Sequence, residues 1–303
     1  MDWTEVQLVR KQIQINANDT ISLIGQTVSG IRSCITIPEL GVVFDIGFCP
    51  SVASQQKIVL VTHGHADHIG SLHLHSFERQ LQKMVRPKYL MPIECHDTFH
   101  NAYDNFRQLN YHEHSIAKEP YKIIPVSEEN QGKIILYLPP TKFNGSWTIR
   151  AYRTTHVVPS TAYVIYQMKR RLKQEYKGLD GKEIATLVKS GINVNEVAET
   201  AIIGYTGDTT IEGVLQHPEL LNVKILIIEC TYVMETDEKH EQTVEEAKKR
   251  GHIHERDFHK YAEHFRNEQI ILCHFSTRYK KSDILASVER LQSVLKCKVD
   301  AFI

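Results

Sequence analysis

The residues best suited to chemistry lie in one short stretch of the chain, residues 62–70. This stretch contains His63, His65, Asp67 and His68, which supply three imidazoles and a carboxylate within six residues. Imidazole and carboxylate groups suit zinc, and a catalytic zinc keeps one coordination position open for water. Isolated histidines usually belong to polar surface loops, but four potential ligands at this spacing predict a metal site.

The stretch follows an apolar run at residues 57–61, which predicts a buried strand. The end of a strand delivers side chains rigidly to the rim of a sheet, and the loop beyond it can wrap around a cation. Gly64 and Gly70 permit tight turning and a close approach of the backbone in that loop. The order of strand and ligands therefore favours a cation at a sheet edge.

Strands and helices alternate along the rest of the chain. Residues 255–266 and 282–296 carry apolar side chains at helical spacing, and Ser282 is the expected N-cap of the second of these helices. This mixture predicts an α/β architecture, with sheets and helices in layers, as a single domain over residues 1–303. The runs that predict strands are 41–46, 57–62, 134–138, 148–152, 163–166, 224–228 and 269–273.

Residues 169–199 differ from the rest because they are polar and have few apolar anchors. They lie between two predicted strands, so we interpret them as an insertion within the domain. A solvated charged helix is the ordinary explanation of such a segment, and a local phosphate-binding patch is the alternative. As far as Ser190, its three acidic residues are outnumbered by seven basic ones: Lys169, Arg170, Arg171, Lys173, Lys177, Lys182 and Lys189.

The composition is that of an ordinary globular protein. The 36 basic and 36 acidic side chains balance, so any nucleic acid must be held by a local patch and not by the net charge. The six cysteines contain no C-x-x-C pair, which favours reduced thiols in an intracellular protein, with the cytoplasm as the expected compartment. Neither a signal-peptide pattern nor a membrane-spanning run occurs, so we expect no membrane partner.

The stretch 62–70 resembles the signature of the metallo-β-lactamase superfamily. The resemblance implies a four-layered αββα fold, in which helices cover the outer faces of two sheets. It also implies further ligands after later strands, and the matching positions are His156, Asp208 and His274. Asp45 matches an early aspartate of the superfamily that supports the ligand loop without binding the metal.

The same resemblance implies two zinc ions in one site, with manganese or iron as possible replacements. Paired metals activate a shared water and clamp the attacked phosphoryl oxygens. Asp67 would accept the proton of that water, and Asp208 would bridge the two ions. The first ion would take His63, His65 and His156, and the second would take Asp67, His68 and His274.

A closer resemblance, over nearly the whole chain, is to the short form of the tRNase Z family. That family removes the 3′ trailer from tRNA precursors, so the resemblance implies a zinc-dependent endoribonuclease that leaves a 3′-hydroxyl on the tRNA. The sequence His-Phe-Ser-Thr-Arg-Tyr at 274–279 is similar to the closing H-x-S-x-R-Y pattern of the family. The other segments that carry the resemblance are 44–49, 62–70, 154–158, 206–210, 229–232 and 251–254.

The family resemblance further implies a proton donor for the departing oxygen. His252 matches the catalytic histidine of the family and Glu229 its acidic partner, although His254 lies only two residues away. A ribose alkoxide is a poor leaving group near neutral pH, so protonation assists cleavage. A solvated strand end is the alternative explanation of Glu229. Arg278 would lie near the site, where it either holds a phosphate or pairs with an acidic neighbour.

Members of the family carry an arm that grips the tRNA, and residues 169–199 occupy the corresponding position, with 176–181 as the expected turn. The resemblance also implies a homodimer, in which the arm of one subunit presents RNA to the other. The P-x-K-x-R-N loop of bacterial members is not visible, which leaves the rejection of mature CCA ends open. The side chains expected to contact phosphates are Lys169, Arg170, Arg171, Lys173 and Lys177.

Two other functions remain open at this level. The site could belong to a broader hydrolase of the same fold that acts on small phosphodiesters, on RNA in general or on β-lactams. Asp208, where many β-lactamases have cysteine, and the basic segment argue against a dedicated β-lactamase. The chain could also be a non-catalytic RNA-binding module, although such a module has no need to keep every ligand.

Overall fold

The computed structural model describes residues 5–111, 119–234 and 240–303. Within these three ranges the chain forms two seven-stranded sheets, and each half of the chain builds one of them. The strands follow sequence order across each sheet, so consecutive strands pair with each other. A site that draws on both halves must therefore form where the two sheets meet.

The first sheet combines antiparallel and parallel strands. In spatial order, its strands are β1 (Val9–Gln14), β2 (Thr20–Val28), β3 (Arg32–Ile37), β4 (Val42–Phe44), β5 (Ile58–Leu60), β6 (Lys88–Pro92) and β7 (Lys122–Val126). Strands β1 to β4 are antiparallel, and β4 to β7 are parallel. The short apolar strands β4 and β5 are buried on both faces, which is why they lack the alternation of a half-exposed strand.

The second sheet repeats this arrangement. In sequence order, its strands are β8 (Ile134–Tyr137), β9 (Ser146–Thr154), β10 (Ser160–Leu172), β11 (Asn195–Tyr205), β12 (Ile225–Glu229), β13 (Gln269–Cys273) and β14 (Lys298–Ala301). Strands β8 to β11 are antiparallel, and β11 to β14 are parallel. The run predicted at residues 269–273 coincides with β13, and the other predicted runs overlap observed strands.

Most of the helices flank the outer faces of these sheets. In the first half they are α1 (Ser51–Ser54), α2 (Ala66–Ile69), α3 (Leu72–Leu81) and α4 (His96–Tyr111). In the second half they are α5 (Gly181–Lys189), α6 (Ile211–Leu215), α7 (Pro218–Asn222), α8 (His240–Lys249), α9 (Glu255–Tyr261) and α10 (Lys281–Val294). None of the helices in the described ranges combines the length and the apolarity that a bilayer crossing requires.

Three apolar cores join these layers in the described part of the chain. The central core lies between the two sheets and includes Trp147 and Ile227. A second core, which includes Phe258, holds α6, α7, α9 and α10 against the second sheet. The third joins α3 and α4 to the first sheet through Phe77 and Tyr103. The layers therefore follow the order helix, sheet, sheet, helix, which is the αββα arrangement expected from the sequence.

Two details at the C-terminal helices differ from the sequence predictions. Helix α10 begins at Lys281, so Ser282 is not its N-cap. Instead, the N-cap is Lys280, two residues earlier, and its backbone N–H donates a hydrogen bond to the Asp283 carboxylate at 2.8 Å. The helix predicted at residues 255–266 ends at Tyr261 and continues as a single 3-10 turn.

The segment 169–199 contains a hairpin that extends the second sheet. β10 and β11 remain paired over residues 168–172 and 195–199. Beyond the paired strands lies α5, which buries none of its residues. Asp180 caps this helix by accepting hydrogen bonds from two backbone N–H groups of the first turn, at 2.8 and 2.9 Å. Capping and the strands that frame it, and not burial in the core, thus hold this helix in place.

Candidate metal centre

The candidate ligands lie where strand ends from both sheets meet. The first sheet supplies four of them, in the loop and the short helix α2 that follow β5. The second sheet supplies three, each just beyond the end of β9, β11 or β13. Because strand ends are rigid, the sheets hold these side chains in place. The seven residues are His63, His65, Asp67 and His68 from the first sheet, and His156, Asp208 and His274 from the second.

One group of ligands consists of His63, His65, His156 and Asp208, whose ligand atoms all lie within 4.8 Å of one another. His63 Nε2 lies 3.1 Å from His65 Nδ1, and His156 Nε2 lies 3.4 Å from the same atom. Asp208 Oδ2 lies 3.8 Å from His63 Nε2. His65 and His156 are 91 residues apart in the chain, so only the packing of the two sheets brings them together.

A second group consists of Asp67, His68 and His274. The Nε2 atoms of His68 and His274 lie 3.2 Å apart. Asp67 Oδ2 lies 3.4 Å from each of these two nitrogens. The grouping places three ligand atoms around one point, as the resemblance to the superfamily implies.

Asp208 lies between the two groups. Its Oδ1 atom is 3.3 Å from His68 Nε2 and 3.4 Å from His274 Nδ1, and its Oδ2 atom faces His63. The residue is 2% exposed, yet Oδ1 accepts no hydrogen bond of normal geometry from any described residue. A buried carboxylate oxygen without a donor is costly unless a cation occupies the space beside it.

The chemistry of these side chains fits divalent cations. Burial lowers the pKa values of His63, His65 and His156, so these imidazoles are neutral near pH 7 and can offer a lone pair. Two neutral imidazole nitrogens that face each other at 3.1–3.4 Å can share only one proton. A cation between them would satisfy both lone pairs.

The carboxylates make the site strongly negative. Burial raises the pKa of Asp208, but the neighbouring His274 and His68 outweigh it and hold the pKa well below its ordinary value. Burial also raises the pKa of Asp67, and hydrogen bonds from His274 and His68 again reverse the direction. Conversely, burial lowers the pKa of His68, but Asp208 and Asp45 raise it well above its ordinary value. A potential that stabilises an imidazolium also attracts a metal cation.

Asp45 supports the ligand loop from behind, at the position that the resemblance implies. It is fully buried, and its carboxylate accepts hydrogen bonds from the backbone N–H and the hydroxyl of Thr62 at 2.8 and 3.0 Å. Tyr205 donates a third at 2.9 Å. His68 Nδ1 donates at 2.8 Å, which leaves its Nε2 atom facing the candidate metal position.

The backbone at the site is tightly constrained. Asp45 and His274 adopt positive φ angles of 54° and 59°, a region that non-glycine residues occupy at a cost. At Gly47, a Cβ atom would lie 1.7 Å from the carbonyl oxygen of Asp67, so no larger residue fits beside the ligand loop. The surrounding packing thus maintains two strained residues in the conformations that the cluster requires.

Glu229 and His252 form a pair beside the ligand cluster. Glu229 is 0% exposed, so the solvated strand end considered from the sequence is wrong. Its carboxylate accepts hydrogen bonds from Thr209 N–H at 2.7 Å, Thr231 Oγ1 at 2.6 Å and His252 Nδ1 at 3.1 Å. Burial lowers the pKa of His252, but Glu229 outweighs this and raises the pKa to about 9. The imidazole is therefore protonated near pH 7 and can donate a proton.

His254 has a different, structural position. Its Nδ1 atom accepts a hydrogen bond from the backbone N–H of Arg256 at 3.0 Å, which caps the N-terminus of α9. The residue is buried and lies outside the ligand groups formed by the described residues. The structure thus separates the two nearby histidines, with His252 at the site and His254 in a helix cap.

Comparison with characterised proteins identifies the family. Over 279 residues the chain is 33% identical to tRNase Z TRZ1 of Arabidopsis thaliana. The alignment covers 91% of this chain and 93% of that relative. The chain is 32% identical to the chloroplastic tRNase Z TRZ2 of the same plant over 96% of this chain and 76% of that protein. The chain belongs to the tRNase Z family. The family membership implied by the sequence motifs is therefore confirmed.

Solved structures show the same fold. Human tRNase Z, short form, superposes with a TM-score of 0.51 at 15% identity, over 92% of this chain and 95% of that one. A metallo-β-lactamase fold protein of Bacillus subtilis, YhfI, gives a TM-score of 0.54 at 16% identity, over 91% and 92% of the two chains. The predicted metallo-β-lactamase fold is thus confirmed. No family model matches the chain.

Arg278 of this tRNase Z family member contacts both an aromatic ring and an acid. Its guanidinium lies 5.0 Å from the centre of the Tyr232 ring, in a cation–π arrangement. It also lies 3.7 Å from the carboxylate of Glu246, so the salt bridge considered from the sequence is present. The Tyr232 ring is in turn 6.3 Å from the ring of His252, which keeps the guanidinium near the site.

Some contacts at the site escaped sequence reasoning. The backbone N–H of His274 donates to Thr27 Oγ1 at 3.0 Å, and the N–H of Gly30 donates to Asp67 Oδ2 at 2.9 Å. Thr231 Oγ1 lies 3.0 Å from His274 Nδ1. Thr27 lies in β2 and Gly30 in the turn after it, outside the segments that carry the family resemblance. Single hydroxyls and backbone N–H groups carry no motif of their own.

Proposed function

We propose that this protein is a divalent-metal-dependent endoribonuclease that removes the 3′ trailer from precursor tRNA and leaves a 3′-hydroxyl on the tRNA. The observation that carries the proposal is the position of the proton donor. His252 Nδ1 lies 3.1 Å from Glu229 and 3.9 Å from Asp208, which belongs to the ligand cluster. A metal cluster with an adjacent acid suits a reaction whose leaving group is a ribose oxygen.

Two zinc ions per subunit are the proposed cofactor, with manganese or iron as replacements. Bound between these ligands, such ions lower the pKa of water and offset the charge of the phosphoryl group. The mixture of imidazole and carboxylate ligands supports zinc. The proposed ligands of the first ion are His63, His65 and His156, those of the second are Asp67, His68 and His274, and Asp208 is shared.

The proposed reaction has two proton transfers, and a different side chain carries out each of them. Asp67 is proposed to accept a proton from the attacking water, because its carboxylate belongs to the second ligand group. As the bond between phosphorus and O3′ breaks, His252 donates a proton to O3′, and the phosphate remains on the trailer. Glu229 keeps the imidazole oriented through Nδ1, which leaves Nε2 to reach the departing oxygen. Asp45 and Arg278 are proposed to support the ligand loop and to hold a phosphate, respectively.

The arm, residues 169–199, is the proposed contact for the body of the tRNA. Arg170 and Lys177 are exposed on it. Arg171 pairs with Glu196 at 2.7 Å, so part of its charge is offset within the arm. Phosphate contacts from such side chains supply affinity without reading sequence. The remaining basic side chains proposed for this role are Lys169 and Lys173, and a homodimer would let one arm serve the site of the partner.

The test is cleavage of a precursor tRNA that carries a 3′ trailer, mapped on a gel at nucleotide resolution. We expect one cut at the trailer junction with a 3′-hydroxyl on the tRNA, and about two zinc ions per subunit by elemental analysis. His65→Ala should lower both metal content and cleavage. Retained cleavage in a metal-depleted His65→Ala protein would contradict the mechanism. Cleavage of bis-p-nitrophenyl phosphate without cleavage of the precursor would favour a broader hydrolase.

A further inference from the structure

An apolar groove opens beside the ligand cluster, and apart from His65 none of its lining residues has a role in the chemistry proposed above. It encloses about 520 Å³, within the range of roughly 300–1,000 Å³ that ligand pockets occupy. Helices α2, α3 and α4 form one wall, with Ile69, Phe99 and Phe106, and the turn at Val158 and Pro159 forms the other. A space of this size accommodates a ring system.

A flat aromatic pair lies at the edge of the groove. His73 of α3 and Phe106 of α4 stack with ring centres 3.8 Å apart and ring planes within 2°. Phe106 is 41% exposed, so part of its ring remains open to a ligand. Burial lowers the pKa of His73, so its ring is uncharged near pH 7. Flat, uncharged rings are the surfaces on which unpaired nucleobases stack.

The wall of the groove contains an acidic side chain, but its negative charge is offset and does not repel RNA. Glu94 lines the groove, but Arg153 donates two hydrogen bonds to its carboxylate, at 2.6 and 3.0 Å. Such a bidentate pair is geometrically fixed and offsets the negative charge. The groove is therefore suited to an uncharged ring, and the phosphates of the same strand would remain outside it.

The inner end of the groove is continuous with the metal centre. Gly64, His65 and Ala66 line it, and His65 also belongs to the first ligand group. His252, which would protonate the departing O3′ of the tRNA, does not line it. Because the scissile phosphate stays with the trailer, a strand that leaves the site on the His65 side is the trailer.

We propose that this groove binds a base of the single-stranded 3′ trailer, at one of the first two nucleotides beyond the scissile phosphate. The base stacks on the pair formed by His73 and Phe106. This inference rests on the proposed function, because it takes the trailer as the occupant. Stacking tolerates every base, so the groove holds trailers of different sequence equally well.

The test uses precursor tRNA with 2-aminopurine at the first or second trailer position. A methylene group replaces the bridging O3′ at the scissile bond, so that binding is measured without cleavage. We expect the metal-loaded protein to quench the fluorescence at one of these positions. Phe106→Leu, which keeps apolar bulk but removes the ring, should abolish the quenching and weaken binding about ten-fold. Phe106→Tyr should retain both.

The matched control is Leu109→Ala, which removes another exposed apolar side chain of α4 outside the groove. Quenching and affinity that are unchanged in Phe106→Leu would overturn the inference, as would equal losses in Phe106→Leu and Leu109→Ala. In a separate substrate, 2-aminopurine is placed on the tRNA side of the scissile bond. Quenching of that probe, without quenching of either trailer probe, would also overturn the inference. If the unmodified precursor is cleaved in these cases, the proposed function stands, whereas no cleavage by the wild-type protein would overturn both.

Discussion

At the scale of single residues, the site depends on side chains whose roles are set by what they touch. Glu229 is a glutamate among many in the sequence, but in the fold its buried carboxylate accepts hydrogen bonds from Thr209, Thr231 and His252. Asp45 similarly acts through His68 and not on the candidate metal directly. Substitutions at these positions should therefore change the properties of a neighbouring residue.

His252→Ala should separate substrates by their leaving group. Without the proton donor, we expect cleavage of precursor tRNA to fall about 100-fold or more, because a ribose oxygen departs poorly without protonation. Hydrolysis of bis-p-nitrophenyl phosphate should fall much less, since p-nitrophenolate is stable without a proton. Steady-state rates on both substrates measure this. His254→Asn is the control, because asparagine can still cap α9, and equal losses on both substrates in His252→Ala would argue against a proton donor.

Asp45→Asn should weaken metal binding while the fold persists. Asparagine has nearly the same shape and tolerates the positive φ of 54° at this position, but it lacks the charge that orients His68 Nδ1. We expect metal affinity to fall about 10- to 100-fold, as for other changes behind a metal ligand. Titration with a metal-competing chelator measures the affinity, and circular dichroism checks the fold. Unchanged affinity would show that His68 needs no such support.

At the scale of elements, hydrogen bonds between neighbouring helices stabilise the second half of the chain. Glu255, in the first turn of α9, is 0% exposed and receives two hydrogen bonds from Arg290 of α10, at 2.7 and 2.8 Å. It also accepts a hydrogen bond from the backbone N–H of Met234 at 2.8 Å. This single carboxylate joins two helices and a loop, close to the segment that carries His252.

Glu255→Gln should destabilise the protein by about 3 kcal/mol near neutral pH, the lower end for a broken buried pair, because Arg290 is about one-third exposed. Burial raises the pKa of Glu255, but Arg290 and Met234 outweigh it and lower the pKa in the folded state. The stabilisation is thus present above the ordinary glutamate pKa and is lost as pH falls through the lowered value. Urea unfolding of the wild-type and Glu255→Gln proteins at pH 7 and at about pH 3 measures this. A difference in the free energy of unfolding that is as large in acid as at pH 7 would contradict the prediction.

At the scale of the whole molecule, the two sheets build the candidate metal centre, and the arm extends away from it. The arm contributes α5, which is exposed along its length, and a pair of strands that continue the second sheet. Its removal should therefore leave the cores between the layers intact. Affinity for a large substrate and chemistry at the metal centre should be separable properties of this protein.

Deletion of residues 170–190 should weaken binding of precursor tRNA and spare hydrolysis of bis-p-nitrophenyl phosphate. In the intact arm, Arg170→Gln with Lys177→Gln should make the logarithm of the binding constant depend less steeply on the logarithm of salt concentration, with a slope smaller by about 1–2. Binding assays over a range of salt concentrations measure the slope. Equal loss of both activities on deletion would show that the segment supports the fold.

Local spacing was sufficient for part of the candidate site. His63, His65, Asp67 and His68 lie within one loop, so their types and their position after a strand already indicate a cation. The apolar runs also predicted the central strands, because strands buried on both faces need uninterrupted apolar residues. By contrast, β2 escaped prediction, since its buried polar residues Gln26 and Thr27 interrupt the apolar pattern.

The distant members of the site depended on resemblance at the sequence level, and their contacts depended on tertiary structure. His68 and His274 lie 206 residues apart, and no local pattern encodes the 3.2 Å between their nitrogens. The burial of Glu229 depends on Thr209 and His252, which lie 20 and 23 residues away in the chain. The groove beside His65 likewise forms only when residues of both halves of the chain come together. Sequence by itself determined which side chains are candidate metal ligands and which strands precede them. Packing decided which of them meet, because burial and distance are properties of the folded chain as a whole.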